Sequence, residues 1–116
     1  GVDAFHCSQR RFWEAEFDDS DMNLAGWVKK LTGMPTITVG SVSLDQDFVS
    51  QPSEGDGATS EPASIDRLLE MMDRGDFDLV AVGRALIANP DWPKVVCSGD
   101  TAGLHAYNKD LLAELA

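Results

Sequence analysis

The residues best suited to chemistry in this chain are Gly83-Arg84, which lie between Leu79-Val80-Ala81-Val82 and Ala85-Leu86-Ile87-Ala88. A guanidinium is a planar fork of donors suited to phosphate oxygens. The four apolar residues before it, two of them β-branched, predict a short buried strand. Glycine lets the backbone turn without a Cβ in the way. The residues after it predict a short helix that Asn89-Pro90 stops. A strand running through glycine into a helix aims free backbone N–H groups at one point, where an anion can sit. The chemistry on offer is phosphate binding. The same residues also fit a plain tight turn carrying a surface arginine.

A second unit repeats the pattern weakly. Thr36-Ile37-Thr38-Val39 predicts a β-branched strand, and Gly40-Ser41 follows it. Gly40 and Ser41 are therefore candidates for the same anion, with Gly40 leaving room for a phosphate to approach the backbone. With a net charge of −11, nucleic acid and anionic membrane surfaces are poor partners. Any anion site must be made locally, and carboxylates more than about 8 Å away are largely screened at physiological salt.

The remaining elements must position these turns. At 116 residues the chain is one domain at most, burying roughly 65% of its unfolded surface. Gly1 to Ser8 predicts a short apolar strand, and residues 9–17 predict an aromatic and charged loop over a site. Its Phe12, Trp13 and Phe17 are candidate walls for a substrate, although Trp13 and Phe17 could equally cover the end of the core. Asp18-Asp19-Ser20-Asp21 offers caps for a helix whose Leu24, Trp27, Val28 and Leu31 form an apolar stripe, ended by Gly33 and Pro35. Residues 43–62 predict a mobile, solvated, acidic loop. Ser64 is the expected cap of a helix buried through Ile65, Leu68, Leu69 and Met72, with Gly75 at its end. Residues 91–96 predict a short helix or turn. Asn108 is the expected cap of a last helix turning Leu111, Leu112 and Leu115 inward, with Tyr107 and Lys109 serving packing and solubility.

Alternating strands and helices predict a parallel sheet, either open and doubly wound or part of a (β/α)8 barrel. A G-x-G-x-x-G fingerprint is absent, which counts against a dinucleotide fold. Consecutive strands ending in phosphate-competent turns favour the barrel. No apolar run approaches a membrane span of about 20 residues, and no signal-peptide pattern opens the sequence. Cys7 and Cys97 read as reduced thiols of a cytoplasmic protein. They lack metal-ligand spacing with His6 and His105. His6 is expected to be a satisfied interior histidine. Glu14, Glu16 and Asp18 read as a solvated cluster rather than a carboxylate pair for glycoside hydrolysis.

Three blocks, Asp3-Ala4-Phe5-His6-Cys7-Ser8, Pro35-Thr36-Ile37-Thr38-Val39-Gly40-Ser41-Val42 and Asp78 through Trp92, occur in order and closely resemble the old yellow enzyme family of FMN-dependent NADH:flavin oxidoreductases. The resemblance implies strands six to eight, the C-terminal portion, of an FMN-binding (β/α)8 TIM barrel. It also implies that Gly40, Ser41, Gly83 and Arg84 hold the FMN phosphate. The implied activity is ping-pong: NADH or NADPH reduces FMN, and the reduced flavin passes hydride to an activated alkene, a quinone or a nitro compound. The residues that bind the substrate carbonyl and donate the proton would lie on earlier strands, leaving no catalytic residue in this segment. Alone, such a chain is expected to be inactive. It would be partnered by the remaining barrel strands or by copies of itself. The alternative is a non-catalytic barrel fragment acting as a phosphate-binding or structural module.

Overall fold

The computed structural model describes residues 1–44, 59–60, 63–99 and 101–115. In chain order the elements are β1 (Phe5–Ser8), α1 (Leu24–Thr32), β2 (Thr36–Val39), β3 (Thr59–Ser60), α2 (Asp66–Asp73), β4 (Leu79–Val80), α3 (Arg84–Ala88), α4 (Trp92–Ser98), β5 (Tyr107–Asn108) and a 3-10 helix, Lys109–Leu115. Strands β1, β2 and β4 form a three-stranded parallel sheet in that order. Strands β3 and β5 pair antiparallel as a separate two-stranded ribbon. The ribbon was not legible beforehand, since neither two-residue strand has a periodicity to read. No helix among the described residues is long and apolar enough to cross a membrane.

Register decides what each sheet face carries. Cys7 aligns with Thr38 and Val80, whereas His6 aligns with Ile37 and Leu79. Side chains alternate across a strand, so each set shares one face. Cys7 joins Phe12, Ala25, Val42, Leu68, Met71 and Phe77 in the main core, with Leu24 and Val28 of α1 and Ile65 and Met72 of α2 packed against it. Both helices therefore lie on the Cys7 face. The other face presents His6, Ser8 and Leu79 exposed, with Ile37 and Val39 half-buried. His6 is thus exposed in this chain, on the sheet face opposite the helices. The helices simply cover the opposite side.

One buried amide fastens this arrangement. Asn23 is fully buried and caps α1, its side-chain oxygen accepting from the Gly26 N–H at 2.9 Å. Its Nδ2 donates to the Phe12 carbonyl at 3.0 Å and to Thr38 Oγ1 at 3.1 Å. Loop, helix and strand meet on a single side chain. The caps expected from residues 18–21 are not used. Asp21 instead pairs with Arg74 at 2.9 Å and Arg67 at 3.2 Å.

Helix faces deviate from the predicted stripes for geometric reasons. The buried residues of helix α1 are small, Ala25 in the main core and Gly26 beneath the Met22 side chain. At about 100° per residue, Leu31 then points roughly 120° away from Ala25, and it is 78% exposed. In α2 the buried residues are Leu68 and Met71, while Leu69 is 51% exposed. Ser64 does contribute at the start of that helix, its hydroxyl accepting from the Asp66 N–H at 3.1 Å, although Ile65 occupies the cap position. The expected buried strand 79–82 shortens to two residues with Leu79 exposed. Pairing nonetheless continues beyond it, from the Ala81 N–H to the Thr38 carbonyl at 2.8 Å. The last helix is 3-10, and its tighter winding leaves Leu111 packed inward and Leu112 exposed. Asn108 does cap it, accepting from the Asp110 N–H at 3.0 Å. Ser43 and Leu44, at the start of the loop predicted over 43–62, are buried, and Ser43 exchanges hydrogen bonds with Ala63. Residues 45–58 and 61–62 lie outside the described residues.

Asn23→Ala removes a cap and strands buried partners, so it should cost about 2–4 kcal/mol in urea unfolding. A second test uses Asp78, which accepts from Lys29 Nζ at 2.6 Å and from the Thr36 N–H at 2.9 Å. The Lys29 ammonium first, and the Thr36 amide second, hold its carboxyl below the usual carboxylate range. A carboxyl so lowered stabilises the fold above its unfolded pKa of about 3.9 and loses that contribution as pH falls through the lower folded value. The thermal midpoint of Asp78→Asn should therefore depend less on pH below about 4 than that of the wild type, measured by circular dichroism.

Candidate anion site at the C-terminal edge of the sheet

Parallel pairing carries the C-terminal ends of β1, β2 and β4 to one edge, and the segments that follow them meet there. Ser41, with φ of 52°, is in the left-handed region, as is Ser43 with φ of 61°. This conformation is uncommon outside glycine, and such residues cluster at functional sites. The Ser41 hydroxyl donates to the Arg10 carbonyl at 2.9 Å and accepts from Arg84 Nη2 at 3.1 Å. One hydroxyl thereby links the segments after all three strands. Arg84 also places its guanidinium carbon 5.6 Å from the centre of the Tyr107 ring.

A cavity of about 160 Å³ opens at this point, lined by Val39, Ser41, Val42, Leu44, Ala81, Gly83 and Arg84. Three of the four predicted site residues, Ser41, Gly83 and Arg84, come together on it. A guanidinium and a glycine backbone around a small space make a donor set matched to an oxyanion, and the Ser41 hydroxyl, its proton given to the Arg10 carbonyl, steadies the guanidinium. The surrounding apolar walls, Val39, Val42 and Leu44, reduce the competition from water for those donors.

The two glycines turn out to work differently. Gly40 has φ of 140°, and a Cβ there would run into the Gln9 carbonyl. Its own carbonyl accepts from the Phe12 N–H at 3.0 Å. Gly40 thus lets the loop after β1 close against the end of β2, and it does not line the cavity. Gly83 has negative φ, and a Cβ there would meet nothing within 4 Å. The turn itself does not require glycine at 83.

The aromatic loop divides. Phe12 is 2% exposed and belongs to the main core. It holds Trp13 edge-on at 5.2 Å. Together with Leu44, Ala63, Ser64 and Arg67, these two line a separate depression of about 470 Å³. Phe17 stacks edge-on against Trp27 of α1 at 5.3 Å and is not among the residues lining that depression.

Other reactive groups stand apart from the anion site. Both cysteines are free thiols, Cys7 buried and Cys97 exposed. Burial pushes the Cys7 thiol up, away from the thiolate form that attacks or binds metal. Among the described residues no group of histidine, cysteine and carboxylate side chains gathers as a metal site. Sequence reasoning missed Leu44, the shared wall of both depressions, because it fell at the start of a polar stretch. It also read Asn89 only as a helix stop and Tyr107 only as packing.

No protein-family model matches the chain. Over 76 residues, 66% of its length, the chain is 34% identical to a protein named NADH oxidase from Thermoanaerobacter brockii. The match spans 9% of that protein, so the chain corresponds to a small part of its relative.

The contrast between the glycines gives a paired test. Gly40→Ala should lower unfolding free energy by about 1–3 kcal/mol, the cost of a strained backbone with no room for a side chain. Gly83→Ala should stay within about 1 kcal/mol of wild type. Both values come from the same urea titration.

Proposed function

We propose that this chain is the C-terminal portion, strands six to eight, of a (β/α)8 barrel in an FMN-dependent NAD(P)H oxidoreductase of the ene-reductase type. In that enzyme Ser41, Gly83 and Arg84 hold the FMN phosphate, while Gly40 shapes the turn that presents Ser41. The observation that carries the proposal is the hydrogen bond between Arg84 and Ser41 beside an apolar-walled cavity at the C-terminal edge of a parallel sheet. Barrels of this class commonly bind phosphate there, using the loops after their last two strands. Similarity to a protein named NADH oxidase points to the same chemistry.

The residues present suit the cofactor. A phosphate monoester carries close to two negative charges at neutral pH, and the chain's net charge of −11 means its affinity must come from local donors. Arg84 supplies the compensating charge and Ser41 fixes the direction of the guanidinium. When bound, FMN supplies hydride transfer between NADH or NADPH and an activated alkene, quinone or nitro compound. The chain's part is to bind and orient. Phe12 and Trp13 stand where a loop after the first of these strands would wall the substrate side. The exposed sheet face of His6, Ser8, Ile37, Val39 and Leu79 is where the remaining barrel strands, or other copies of the chain, would pack. A cytoplasmic setting belongs to the same proposal.

Arg84→Ala should weaken FMN binding by the complete enzyme about ten- to hundredfold, the loss of one charge-assisted hydrogen bond. Affinity for riboflavin, which lacks the phosphate, should not change. Flavin fluorescence titration measures both, and unchanged FMN affinity would remove Arg84 from the site.

A further inference from the structure

Tyr107 is 1% exposed and sits at the centre of the second apolar cluster with Leu44 and Ala85. Its ring lies against the Arg84 guanidinium of the anion site, at 5.6 Å. A guanidinium over an aromatic ring is attracted to its π face, which restricts where the group can sit. Strand β5 carries the ring, and two contacts fix that strand. One is its antiparallel pairing with β3. The other is Asn89, itself 5% exposed at the end of α3.

Asn89 grips the backbone of His105 with both edges of its amide. Nδ2 donates to the His105 carbonyl at 2.9 Å, and Oδ1 accepts from the His105 N–H at 2.8 Å. Nδ2 also lies 3.3 Å from the Ala85 carbonyl. The short helix that begins with Arg84 therefore ends in the residue that anchors the approach to Tyr107. Arginine has many rotamers, and an anion site gains affinity when they are restricted before the ligand arrives.

We infer that Tyr107 is a positioning residue for the phosphate site. Its π face, held in place by the grip of Asn89 on His105, acts with the Ser41 hydroxyl to keep the Arg84 guanidinium oriented toward the cavity. The identity of the ligand rests on the function proposed above, while the arrangement of these residues does not.

Titration of Tyr107→Leu and Tyr107→Phe with FMN and with riboflavin tests this. Tyr107→Leu should lose about three- to tenfold in FMN affinity, with riboflavin affinity unchanged, and Tyr107→Phe should match wild type for both flavins. Equal losses for FMN and riboflavin, or no loss in the leucine variant, would overturn the assignment. A wild type that binds the two flavins equally would instead defeat the phosphate reading. Nitrogen-15 NMR of the Arg84 side chain then decides the positioning claim by itself. Its Nε–H proton should show a ring-current shift in wild type and in Tyr107→Phe that disappears in Tyr107→Leu. A random-coil Arg84 shift in wild type would refute the claim, and that measurement stands even if the leucine variant does not fold.

Discussion

Three strands running in the same direction are the constraint from which the site follows. Parallel pairing of Phe5–Ser8 with Thr36–Val39, and of that strand with Leu79–Val80, sends every chain exit to the same edge. A serine and an arginine 43 residues apart can then share a hydrogen bond at 3.1 Å. Antiparallel pairing would have put one of those exits at the far end. The sheet needs a covering layer to hold this geometry, and Asn23 supplies the fastening by tying helix, loop and central strand through one fully buried amide.

Much of this was legible in the sequence because it depends on local chemistry. β-Branched residues marked the strands at 36–39 and 79–80, Gly33 and Asn89-Pro90 marked helix ends, and the βαβαβα alternation implied parallel strands. Grouping Ser41, Gly83 and Arg84 required only that consecutive βα turns share an edge. What was hidden depends on contacts distant in sequence. Asn23 looks like any polar residue until its partners Phe12 and Thr38 are known. Leu31 and Leu69 fit a helical period, yet the residues buried are Ala25 and Gly26 in one helix and Leu68 and Met71 in the other. His6 shows the same limit in a strand: alternation places it opposite Cys7, but only the location of the helices says which side is inside.

Charge adds a further condition. With eleven more acidic than basic residues, the molecule repels anions at long range, and its basic side chains are mostly engaged in local pairs. Lys29 is held by Asp78, and Arg74 by Asp76 and Asp21. Arg84 has a hydroxyl and an aromatic face among its contacts.

The two-edged hold of Asn89 on His105 has a chemical consequence as well as a mechanical one. Asparagine ages when the backbone nitrogen of the following residue attacks its side-chain carbonyl, converting the amide to a carboxylate. Here the following residue is Pro90, whose nitrogen carries no hydrogen and is already fully substituted within its ring. The amide on which the C-terminal segment hangs is therefore shielded from that decay, and the segment's attachment should outlast that of a comparable asparagine followed by glycine.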